Sequence, residues 1–116
     1  MGHPGPILIV DDEASIRKSL EGVLNDEGYS CALASDGADA LSQLQSLHPS
    51  LVLLDIWMPG MDGIETLRRM KAAQPETPVI MMSGHATIST ALKATKFGAS
   101  DFIEKPLELD VVLNAI

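Results

Sequence analysis

The segment "ILIVDDEAS", residues 7–15, sets four consecutive aliphatic residues directly against three carboxylates, Asp11, Asp12 and Glu13. Four apolar residues in a row show neither the alternation of a half-buried strand nor the spacing of an amphipathic helix. They read as a short strand buried on both faces, the kind found in a parallel sheet covered by helices. Acids at the end of such a strand lie at the carboxyl edge of the sheet, where open α/β sheets bind ligands.

Further apolar runs of strand length follow at Ser30–Ala34, Leu51–Leu54, Val79–Met82 and Phe102–Ile103. Between them the apolar residues take helical spacing: Ile16, Leu20, Val23 and Leu24; Leu41 and Leu44; Ile64 and Leu67; then Ile88, Ala91, Leu92 and Thr95. Leu109, Val112, Leu113 and Ile116 repeat the pattern once more. Gly28 and Gly98 stand where helix ends favour a left-handed residue, and His48 before Pro49 reads as a helix exit. Pro75 and Pro78 interrupt helix before the next strand. Strand and helix therefore alternate five times, which predicts a doubly wound α/β domain: a five-stranded parallel sheet with helices on both faces.

The chain has 116 residues, a common size for one domain, and its 46% hydrophobic content suffices for one core. A formal net charge of −8, with only eight Lys and Arg spread through the sequence, argues against a nucleic-acid surface. The longest uncharged stretch opens at Thr77, stops before Lys93 and is broken by Pro, Gly and hydroxyl residues, so no membrane span or secretory signal is expected. The single cysteine, Cys31, lies in an apolar run and is expected to be a buried thiol. A cytoplasmic location fits these features. Residues 1–6 are expected to be a disordered or added leader, and residues 7–116 one domain that stops within a fifth helix of a longer protein.

The residues that follow the strands are Asp11 and Asp12 after the first, Asp55 after the third, Ser83 after the fourth and Lys105 after the fifth. Brought to one rim, three carboxylates repel each other and raise their own pKa values by about a unit or more unless a cation is near. A few carboxylates with room for water suit Mg2+. A carboxylate held beside Mg2+ and a lysine can act as a nucleophile toward phosphorus. Asp55 is the candidate nucleophile because "LVLLD", residues 51–55, gives it the most continuously apolar base. Ser83 and Lys105 would meet the phosphoryl oxygens.

"VDDE", "LLDIWMPGMDG", "MMSGHA" and "FIEKPL", taken together, resemble the receiver domain of two-component response regulators, from about Ile7 to the last residue. "SGHATISTALKATKFGASDFIEKPL" is similar to receivers of the NtrC and NtrX kind. The resemblance implies a strand order of 2-1-3-4-5 and a phosphoryl group accepted by Asp55 from a sensor histidine kinase. It implies Mg2+ bound by Asp12, Asp55 and the backbone carbonyl of Trp57, with Asp11 acting through water. Ser83 and Lys105 would contact the phosphoryl group, and Ser83 and Phe102 would form the switch. The face of helix four, strand five and helix five would change, pairing with a second copy or with an output domain of the same protein. That output domain would regulate transcription. A cis bond before Pro106 is expected on the same ground.

Simpler readings stand beside these. Asp11, Asp12 and Asp55 taken singly would be cap or turn residues, Ser83 a loop hydroxyl and Lys105 a solvated lysine. Their common position after apolar strands favours the site. The Trp57 side chain is expected only to flank the pocket, and His85 to sit at its mouth, while His3 and His48 carry no catalytic role. A phosphatase resembling the haloacid dehalogenase group would want an aspartate two residues after its nucleophile, where Trp57 stands. Only slow self-phosphorylation and self-dephosphorylation are expected. An interaction module that never takes phosphate, and a nucleotide-binding flavodoxin-like domain, fit less well: the acidic set is intact and no Gly-rich loop follows a strand.

Overall fold

A computed structural model describes residues 5–84, 87–105 and 114. Five strands, β1 (Ile7–Val10), β2 (Cys31–Ala34), β3 (Leu51–Asp55), β4 (Val79–Ser83) and β5 (Asp101–Glu104), alternate with α1 (Ala14–Asp26), α2 (Gly37–Leu47), α3 (Gly63–Ala73) and α4 (Ile88–Lys96). The sheet is parallel throughout, in the order β2-β1-β3-β4-β5. This is the order that the resemblance implies. The expected fifth helix, Pro106 and His85 lie outside the described residues.

Every residue of β1, β3 and β4 is buried, and their side chains alternate between two cores. Leu8, Val10, Val52, Leu54, Val79 and Met81 meet Ala40 and Leu44 of α2, Leu67 and Met70 of α3 and Ala94 of α4. Ile7, Ile9, Leu51, Leu53, Ile80 and Met82 face the other way, toward Leu20 and Leu24 of α1. The two-residue period of a strand therefore places consecutive aliphatics in different cores, which is why the runs show no alternation.

The helix ends follow local chemistry. Asp36 and Asp62 accept hydrogen bonds at the N-termini of α2 and α3, from Asp39 N (2.8 Å) and Glu65 N (2.9 Å). Thr87 and Thr90 close a reciprocal capping box on α4. Gly28 and Gly98 have φ of 92° and 101°, and His48 ends α2 in the left-handed region at φ 47°. Gly5 and Pro6, from the leader expected over 1–6, lie against the start of β3: Ser50 N donates to Pro6 O at 3.1 Å and Ser50 Oγ to Gly5 O at 2.7 Å.

Two expectations change. Ile88 and Leu92, read as part of a packed helix face, are 83% and 64% exposed, and α4 meets the core through Ala94 instead. Their spacing is helical, but their side of the helix faces solvent while Ala94 is buried. Cys31 is only half-buried. Burial, and then the charge of Glu21, raise its pKa and keep it a thiol.

Candidate functional site

The carboxyl edge of the sheet gathers the expected residues. Asp11 follows β1 and is fully buried, its amide donating to Ala34 O at 3.2 Å. Its Oδ1 accepts from Glu13 N at 2.9 Å, and Arg17 Nη1 donates to its carbonyl at 2.6 Å. Those two bonds orient Asp11 before α1 begins. The first carboxylate after the strand is thus tied to the turn, while Asp12 is left exposed beside it.

Asp55 closes β3 and is only 3% exposed. The pairing runs one step beyond it, with Ile56 N donating to Met82 O at 3.0 Å, so its backbone is held on a rigid ladder. The chain then turns through Pro59 and Gly60, and Gly63 N donates back to Ile56 O at 2.7 Å. A Cβ on Gly63 would collide with the Asp55 carbonyl and lie 2.6 Å from Ile56 Cα. Only glycine lets α3 start so close behind Asp55.

Ser83 ends β4, fully buried, and its carbonyl accepts from Lys105 N at 2.8 Å. That bond ties the ends of β4 and β5 together. The Lys105 ammonium lies 2.7 Å from Asp11 Oδ2 and 3.3 Å from Asp55 Oδ1. Carboxylate oxygens of Asp11, Asp12 and Asp55 all lie within 4.8 Å of one another.

Crowding perturbs the charges. Burial and then the Asp11 charge raise the Asp55 pKa to about 6, against the opposing pull of Lys105. For Lys105, burial alone would lower the pKa, but its bond to Asp11 and the charge of Asp55 outweigh it and hold the ammonium above its ordinary value. One ammonium thus serves two buried acids with a third beside them. The donor set is all oxygen, and exposed Asp12 leaves a side open to water, which fits a hydrated Mg2+ better than a softer metal.

Asp11, Asp12, Asp55, Ser83 and Lys105 are therefore brought to one rim. Trp57 follows on the loop after β3 and is 51% exposed. Phe102, in register with Met81, is half-buried against the core that faces α2, α3 and α4. Sequence reading passes over Arg17 and Gly63. An arginine one turn into a helix carries no signal of its own, and the glycine is visible only as part of a turn.

The sequence profile of the response regulator receiver domain family matches residues 7–116. Among curated relatives, the nitrogen assimilation regulatory protein NtrX of Azorhizobium caulinodans is 50% identical over 106 residues, 90% of this chain and 23% of the relative. The transcriptional regulatory protein FixJ of Bradyrhizobium diazoefficiens is 43% identical over 110 residues, 95% of this chain and 54% of the relative. The chain thus spans about a quarter to a half of the length of these relatives. The crystal structure of the NtrX receiver domain from Brucella abortus superposes with a TM-score of 0.86 at 45% identity, covering 94% of this chain and 96% of that one. A solution structure of the beryllofluoride-activated NtrC4 receiver domain dimer gives 0.89 at 38% identity, covering 94% and 90%. With the fold, the strand-end residues and the profile in agreement over nearly the whole sequence, the chain belongs to the response regulator receiver domains of two-component signalling, of the NtrX, NtrC and FixJ type.

Proposed function

We propose that Asp55 accepts a phosphoryl group from a sensor histidine kinase and that the added charge resets the α4 side of the domain. That change would control an output domain outside this chain, a regulator of transcription. The observation that carries this reading is the Lys105 ammonium between two buried acids, with Asp12 alongside.

An Asp55 carboxylate oxygen attacks phosphorus while the bond from phosphorus to the kinase histidine nitrogen breaks, leaving an acyl phosphate. With a pKa of about 6, Asp55 is mostly ionised at neutral pH and ready to attack. Asp11, Asp12, Asp55 and the Trp57 carbonyl would hold Mg2+, Asp11 through water, and the ion would offset charge on the phosphoryl oxygens. Lys105 now lies nearer Asp11 than Asp55, so it has to swing toward the new phosphoryl oxygens. Ser83, one strand over, supplies a hydroxyl to the same group. Its movement pulls the segment after β4, and half-buried Phe102 turns inward to fill the space.

The output face would include Ile88 and Leu92, two large exposed apolar side chains one helical turn apart, a patch of the kind that a partner surface covers. The dimeric state of activated NtrC4 supports pairing with a second copy, and the face proposed for that pairing is α4, β5 and the expected fifth helix. Return to the unphosphorylated state would be slow, because Trp57 stands where a hydrolytic enzyme would place an acid–base aspartate.

The direct test is intact-mass measurement after incubation with acetyl phosphate. One phosphoryl group should appear with Mg2+, little with chelator, and none on Asp55→Asn. Equal modification of Asp55→Asn would overturn the assignment.

A further inference from the structure

Five of the eight Lys and Arg residues, Arg68, Arg69, Lys71, Lys93 and Lys96, lie on α3 and α4, contrary to the spread expected from sequence. Two open cavities run along the seam between these helices, of about 470 and 350 Å³. Arg68 and Phe97 line both, with the guanidinium stacked 5.4 Å from the ring centre, so the cavities form one groove on either side of that stack. It runs from Trp57 and Thr90 at the phosphoryl end to Pro75 and Gly98 at the other.

We propose that this groove docks an acidic peptide segment of a protein partner, anchored by an aromatic or aliphatic side chain against Phe97. Charge complementarity carries the choice of occupant. The chain as a whole is at −8, yet among the described residues the groove is lined by Arg68, Lys71, Lys93 and Lys96 against only Asp62 and Glu65. Glu65 is already paired with Arg68 at 2.7 Å and Arg69 at 2.9 Å. Lys71 serves the fold by donating to Thr77 O at 2.7 Å, whereas Lys93 and Lys96 make no ion pair among the described residues. Cations in the last turns of α3 and α4 also complement the helix dipoles. That role needs neither a cavity nor Arg68 stacked on an aromatic floor in mid-groove. A bare polyanion would use the cations and ignore Phe97, Trp57 and Ile64, which offer apolar contact between them. The surface is distinct from the pairing face, since Thr90, Lys93 and Phe97 line it while Ile88 and Leu92 do not.

The test is fluorescence anisotropy of a short fluorescein-labelled peptide of alternating Glu and Leu with one central Phe, titrated with the unphosphorylated protein. Saturable binding is expected, weakening with salt and falling about tenfold in Lys93→Glu/Lys96→Glu. The neutral pair Lys93→Gln/Lys96→Gln should fall between the two, and both variants should melt with wild-type cooperativity by circular dichroism. Four results would each overturn the proposal: no saturable binding; equal binding by the charge-reversed protein; a labelled oligothymidylate bound as tightly as the peptide; or a salt-sensitive dimer of the free protein that the charge reversal dissolves, which would make a second copy the occupant. The measurement needs no phosphoryl group, so its failure leaves the role of Asp55 untouched.

Discussion

Asp55 holds its proton to about pH 6, against 3.8 for an unconstrained carboxyl, because burial and Asp11 disfavour its charge. A folded-state pKa above the unfolded value means the fold prefers the protonated form. Its stabilising effect is complete below the unfolded pKa and is lost as pH rises toward 6. The gap corresponds to about 3 kcal/mol. Asp55→Asn removes this titration, so in metal-free buffer its stability margin over wild type should widen from pH 4 to pH 6.5 and then level off. Urea unfolding at a series of pH values checks this, and a margin that shrinks over the same range would contradict it. Lys105 has the opposite role. Removing it in Lys105→Ala leaves fully buried Asp11 without its cation, a loss that should cost about 3 kcal/mol and be offset in part by Mg2+. Gly63 acts through space alone: Gly63→Ala should cost about 2–3 kcal/mol in urea unfolding and lower the rate of Asp55 phosphorylation, because the added methyl pushes on the Asp55 carbonyl.

At the scale of elements, strands were legible because apolar runs and ladder pairing coincide, but the strand ends were not. Asp55 and Ser83 lie one residue past the apolar runs yet remain within β3 and β4, since hydrogen bonding does not depend on side-chain polarity. This extension is what buries the two candidate side chains. Helix four was legible as a helix and misleading as a packed face. Ile88 and Leu92 have the spacing of core residues, yet the helix is turned so that Ala94 meets the sheet. Their exposure predicts that Ile88→Ser and Leu92→Ser change unfolding free energy by less than about 0.5 kcal/mol. Sedimentation should show that the same variants lose association induced by beryllofluoride, if pairing uses this face. By contrast, Leu67→Ala, in the core on α3, should cost about 2–4 kcal/mol.

Across the whole molecule, the site was readable because a parallel sheet forces all strand ends to the same edge. Residues 44 positions apart, Asp11 and Asp55, and 50 apart, Asp55 and Lys105, then need no pairwise signal to meet. What topology cannot supply is the fine placement: which acid Lys105 favours, how Arg17 holds Asp11, and how closely α3 approaches Asp55. Those depend on side-chain geometry that no spacing encodes. Nor does spacing show that cations distant in sequence collect along the α3/α4 seam. The central claim, that separate strand ends form one site for Mg2+ and a phosphoryl group, is tested most directly by the fluorescence of Trp57, the sole tryptophan. A saturable change on adding Mg2+, followed by a second on adding beryllofluoride that is absent from Asp55→Asn, is the predicted result. A flat response to both reagents, or a beryllofluoride response that survives in Asp55→Asn, would contradict the account.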